Sequence, residues 1–301
     1  MQQIPDEVLE INQETFDDIC QKYKGSSLAK NFDEFIKMIL ELIHIRPFSQ
    51  QLYANLVKSI AIEGFEKPLL EALFGNNEDF LSTIKFAKLL LNNGYFNASK
   101  LTDFLVDRFD SFSAGTDLSV FSFATFGSLI LKSNKDLFSD KCHSYYMTYA
   151  IGHRNYNFVS FLQRMSSMDS EDLEAQANAK PFGEIGNIIW QDDVAKLQEK
   201  EFYVNMTIDP TFFVPTIFLT KIPTTLEFAA FCGAKNCVEH LIQRGANVDA
   251  KDRDGLGVMA YAIAGGSIDV IKELKKNGAV VDDDAMKIAN EYRRVKLLEQ
   301  I

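Results

Sequence analysis

The chain has 301 residues, a formal net charge of −11 and a pI near 4.9, with 47% hydrophobic and 24% charged residues. That balance predicts a folded protein rather than a disordered one. It also argues against nucleic acid and anionic membrane as partners, because both are recognised through cationic surface. The most apolar run, FSFATFGSLIL at 121–131, is too short to cross a bilayer and predicts a buried helix. Four cysteines (Cys20, Cys142, Cys232, Cys237) in so long a chain make no disulfide framework. The start MQQIPDEVLEINQE is acidic and lacks the apolar core of a targeting segment, so the expected location is cytoplasmic.

The first half reads as helix, short turn, helix. Apolar residues Val8, Leu9, Ile11, Phe16, Ile19 and Cys20 predict one amphipathic helix over 5–23, ended by Gly25. Ser26 or Ser27 caps the next element, whose buried stripe is Phe32, Phe35, Ile36, Ile39, Leu40 and Ile43. Pro47 stops it. Helices follow over 52–62, 68–74, 80–91 and 99–109, with a turn at 75–77. The apolar helix at 116–137 carries Gly127 as a candidate break, and further helices are expected at 142–151 and 158–165. The polar stretch SSMDSEDLEAQANAK at 166–180 reads as a linker, or as a solvated helix with one face against the body. Residues 182–200 are helical again. Residues 204–222, β-branched and aromatic with Pro210 and Pro215, have no helical period. They predict an extended excursion that packs Phe212, Phe213, Ile217 and Phe218 onto the helices.

Residues 224–281 then fall on themselves when shifted by 33 positions. Leu226 lands on Met259, Ala229 on Ala262, Gly233 on Gly266, Val238 on Ile271 and Leu241 on Leu274. Gly245-Ala246 lands on Gly278-Ala279. A fixed period with glycines and apolar residues in step is the signature of stacked repeats. Each unit reads as an inner helix, a glycine turn, an outer helix and a glycine terminator. This pattern resembles the ankyrin repeat. It departs from the family's Thr-Pro-Leu-His entry at Thr224-Thr225-Leu226-Glu227, and further at Gly257-Val258-Met259-Ala260, where a less regular entry is expected.

A degenerate leading copy is placed at 184–222, full copies at 223–255 and 256–281, and a charged C-terminal cap at 282–301. With a helical region over 1–180, the chain is similar to a large protist family of ankyrin proteins in which a helical region precedes the repeats. The expected fold is all-α, an irregular helical array continuing into a short ankyrin solenoid over 181–301.

No catalytic or metal motif stands out. Cys232, Cys237 and His240 are close in sequence, but zinc needs four converging ligands and no fourth is evident. Cys142-His143 are adjacent on a helix and so point apart, and His44 and His153 stand alone. The acidic runs 192–193 and 282–284 read as solvated turns at helix N-termini. No enzymatic activity and no cofactor are expected. The resemblance implies binding of a protein partner on the concave face, with Glu227, Phe231, Lys251, Arg253, Asp254, Leu256 and Tyr261 as contact residues. An adaptor whose N-terminal helices recruit a second protein, such as degradation machinery, is the alternative; an enzyme built on those helices is the third.

Overall fold

The computed structural model describes residues 4–75, 77–111, 116–152, 156–179, 182–209 and 213–300. Asn76, His153, Pro210 and Phe212 lie outside the described residues. The chain is all-α, with helices throughout and no strand among the described residues. It divides into two compact units, 1–179 and 180–301.

The first unit begins with α1 (Asp6–Leu9) and α2 (Phe16–Tyr23), where a single helix was expected. Asn12 causes the break. Its side-chain oxygen accepts from the N–H groups of Glu14 and Thr15, a local turn that competes with the helical ladder. Ser26 caps α3 (Ser27–Lys30) and Asn31 caps α4 (Phe32–Ile45), each side chain accepting a first-turn N–H. Pro47 opens a 3₁₀ turn that leads into α5 (Gln50–Ile60), followed by α6 (Glu66–Leu73), α7 (Phe80–Asn92) and α8 (Ala98–Ser111).

Next come α9 (Asp117–Ser133), α10 (Lys135–Gly152) and α11 (Tyr156–Met165). Gly127 does not break α9. An added Cβ there would lie 3.1 Å from Met165 and 3.3 Å from Phe138, so this glycine lets α9 be approached closely. Helix α9 is buried on most sides and packs against α7, α8 and α10.

The polar stretch at 166–180 is not a linker. It forms α12 (Ser170–Ala177), which packs on α9 and buries Leu173 and Ala177. Its Glu174 accepts from the buried Lys88 ammonium at 2.6 Å and the Ser128 hydroxyl at 2.6 Å. Those bonds outweigh the burial that opposes its charge and hold its carboxyl below the ordinary range.

The second unit is two rows of helices. Inner helices α13 (Glu184–Trp190), α15 (Thr225–Cys232), α17 (Val258–Gly265) and α19 (Asp283–Glu291) pack in sequence. Outer helices α14 (Val194–Gln198), α16 (Lys235–Gln243) and α18 (Ile268–Lys276) form the second row, and α20 (Val295–Leu298) follows α19. The turn from inner to outer helix uses the left-handed conformation four times. Gly233 and Gly266 supply it in the two full copies. Asp192 and Arg293 supply it, at φ 50° each, in the flanking ones. The same backbone device therefore runs through all four units, although only two carry the glycine.

Successive turns also touch. Asp192 accepts from Cys237 N–H at 2.9 Å and from the Asn236 side chain at 2.8 Å, capping α16, whose own N-cap Ala234 has no side-chain acceptor. Asp192 is thus a structural cap rather than a solvated charge. One unit on, a Cβ at Gly233 would lie 3.3 Å from Ser267, the cap of α18. At the end of the row the Arg294 guanidinium lies against Gly266.

Candidate ankyrin binding face

The site is built from the loop that joins the two full copies. Lys251 and Gly257 form an antiparallel bridge, and Gly255 takes φ 86° at the turn between them. Asp252 organises the loop from within. Its Oδ1 accepts from Asp254 N–H at 2.8 Å and Leu256 N–H at 2.9 Å, and its Oδ2 accepts from the Tyr261 hydroxyl at 2.6 Å. Burial and the hydrogen bond to Asp252 push the Tyr261 phenol far above its ordinary range, so it stays a donor. A rigid tip results, presenting Lys251, Arg253 and Asp254 to solvent with Leu256 half-buried.

Three of the seven expected contact residues are not at this surface. Phe231 and Tyr261 are fully buried, and so is Glu227. The rings are covered by the end of the 204–222 stretch, a 3₁₀ turn at Ile217–Lys221. Phe218 packs on Phe231 of α15, Tyr261 of α17 and Tyr292, the residue that ends α19, at centroid distances of 5.3, 4.9 and 5.5 Å. Lys221 pairs with Asp254 at 3.4 Å. The excursion is further held by backbone bonds from Thr225 N–H to Met206 and from Ile208 N–H to Pro223. The part of the inner face carrying these rings is therefore occupied by the chain's own aromatic segment.

Glu227 stands where the ankyrin pattern has histidine, and here it closes the entry of α15. Its Oε2 accepts from Thr224 N–H at 2.7 Å while the Thr224 hydroxyl accepts from Glu227 N–H, a complete capping box. Its Oε1 is buried without a protein hydrogen-bond partner. Burial raises its carboxyl to about 7 against the opposing bonds from Thr224, and the Asp252 charge adds to the rise. In the second copy Gly257 offers no side chain to cap α17, the less regular entry that the sequence anticipates.

Two of the other chemical candidates, Cys142 and Cys237, are buried. Cys142 is buried, and burial alone pushes its thiol up to about 12, while His143 is exposed. Cys237 is buried at the core position of α16, its thiol likewise raised to about 12. Among the described residues no cluster of metal-ligating side chains forms. Reading the sequence missed one polar group in the first unit. Asp79 caps α7 and accepts at Oδ2 from the Ser82 hydroxyl at 2.6 Å, and His44 Nδ1 lies 2.9 Å from the same oxygen. A cavity of about 220 Å³ opens beside it. An activated serine needs its base next to the hydroxyl and the carboxylate behind the base. Here the carboxylate lies between the two, which suits a tie between α4 and α7. The spacing Asp79–Ser82 is a capping signal that sequence could have shown; the approach of His44 is tertiary.

No helix among the described residues is long and apolar enough to cross a membrane. No curated protein matches the chain. The ankyrin-repeat family pattern matches residues 224–253, the first full copy, so the chain carries an ankyrin repeat in its C-terminal unit, a module that generally mediates protein–protein interaction.

Proposed function

We propose that this chain is a non-enzymatic binding protein that holds a protein partner on the tips of its ankyrin stack, through Lys251, Arg253, Asp254 and Leu256. The observation that carries this reading is the division of labour in the second unit. Phe218 fills the aromatic part of the inner face, while the tip is exposed and braced from within by Asp252 and Tyr261. A pre-ordered loop loses little conformational freedom on binding, which favours affinity. The acidic balance of the chain suits a basic or neutral partner.

The test is capture of a partner from a native extract by the full chain and by an Arg253→Ala/Leu256→Ala variant. Arg253 is exposed and Leu256 half-buried, so the melting temperature should stay within a few degrees of the parent. Specific capture should fall at least tenfold. Undiminished capture by the variant would remove the tip from the binding site.

A further inference from the structure

A cleft of about 160 Å³ lies beside the tip, between the loop of the first copy and the segment that follows α18. Its floor is apolar: Val258, Met259 and Ala279 are buried there. Val280 lines it too, yet is 75% exposed, an aliphatic side chain left in water at the edge of the recess. A cleft of about 160 Å³ has room for one aliphatic side chain.

The charges around it are unequal. Lys251 and Asp282 both line the cleft and pair with each other at 3.2 Å. The Ala285 N–H and the Lys251 ammonium hold the Asp282 carboxyl below its ordinary range, so it remains charged. Asp249 is the third charged residue of the lining, and it is exposed. Asp283, also exposed, follows Asp282 at the start of α19. The rim is therefore net negative over an apolar floor.

We propose that this cleft seats one aliphatic side chain of an extended partner segment in which the next residue but one, on the same face, is lysine or arginine, the cation lying against Asp249. The proposal rests on the tip-binding reading and adds the chemistry of the partner to it. An extended segment suits the site because its alternate side chains can enter the cleft and meet the rim.

The test uses the full chain and a fluorescein-labelled peptide of sequence Gly-Lys-Gly-Leu-Gly-Lys-Gly, followed by anisotropy. Two control peptides replace leucine by glycine, or both lysines by glutamate. Losing the leucine should weaken binding about tenfold, the scale of burying one aliphatic group. The glutamate peptide should not bind. Val280→Gln should erase the preference for leucine over glycine, and Asp249→Asn should weaken the lysine peptide and flatten its salt dependence. Equal binding of the leucine and glycine peptides, no binding of either, or an unaltered preference in V280Q would overturn the assignment. A concentration-dependent dimer of the parent chain that is lost in V280Q would give the cleft to a second copy and overturn it as well. If R253A/L256A loses capture but the peptides are not discriminated, only the cleft assignment falls; if capture survives that variant, the reading beneath it falls.

Discussion

Glu227 couples the entry of the ankyrin repeat to pH. Its carboxyl is buried, with one oxygen bonded to Thr224 N–H and the other without a protein partner. Burial raises it from the ordinary 4.5 to about 7 in the folded chain. The folded state then holds a proton that the unfolded state releases near 4.5, so the protonated form favours folding. This contribution is fully present below about pH 4.5 and is lost as pH rises through about 7. At about 1.4 kcal/mol per tenfold change in proton affinity, the loss is on the order of 3 kcal/mol by about pH 8. Glu227→Gln keeps an oxygen for Thr224 N–H, since glutamine also completes a capping box, and it has no proton to lose. Urea unfolding of parent and E227Q across this range should therefore give curves that lie close together at about pH 5. They should separate by about 2–3 kcal/mol at about pH 8, with E227Q the more stable. Comparing the two chains cancels the titration of all other carboxylates. Curves that run parallel over the whole range would refute the argument. Glu227→Ala serves as the control, costing about 1–3 kcal/mol at low pH by leaving Thr224 N–H unpaired.

Two further substitutions test how the repeats stack. A Cβ at Gly265 would lie 2.1 Å from the Phe231 carbonyl oxygen, a backbone atom of the neighbouring inner helix that cannot swing aside. Gly265→Ala should cost about 2–3 kcal/mol in urea unfolding although alanine is the better helix former. A neutral or stabilising result would mean that α15 and α17 are not so closely apposed. Asp192→Asn keeps a residue that tolerates the left-handed turn and an oxygen to cap α16, whereas Asp192→Ala keeps neither. The alanine variant should lose about 1–2 kcal/mol and the asparagine variant well under half of that; equal losses would show that Asp192 caps nothing.

Much of this protein is local chemistry and was legible as such. The left-handed glycines at 233, 245, 266 and 278 follow from backbone preferences within a few positions, and the structure places each where the 33-residue pattern does; the capping box at Thr224, which the pattern shows only as a departure, is a structural finding. The helical stripes of α4, α5 and α7 are likewise set by short-range periodicity. Other features depended on partners distant in sequence. Residues 166–180 look solvated until Lys88 and Ser128, 86 and 46 positions from Glu174, are seen to meet it. The sequence around Gly265 and Asp192 does not announce their contacts, which are with Phe231 and with Cys237 of the next unit.

The binding face shows the division most sharply. The sequence by itself determined that an inner helix carries Glu227 and Phe231, that its counterpart carries Tyr261, and that a turn follows at 252–255. Which of those side chains reach solvent was decided only by tertiary structure. The aromatic stretch at 204–222 has no period of its own, so the sequence does not say where its rings are buried. Phe218 found that burial on Phe231 of α15, Tyr261 of α17 and Tyr292 just after α19, leaving the tip at 251–256 uncovered.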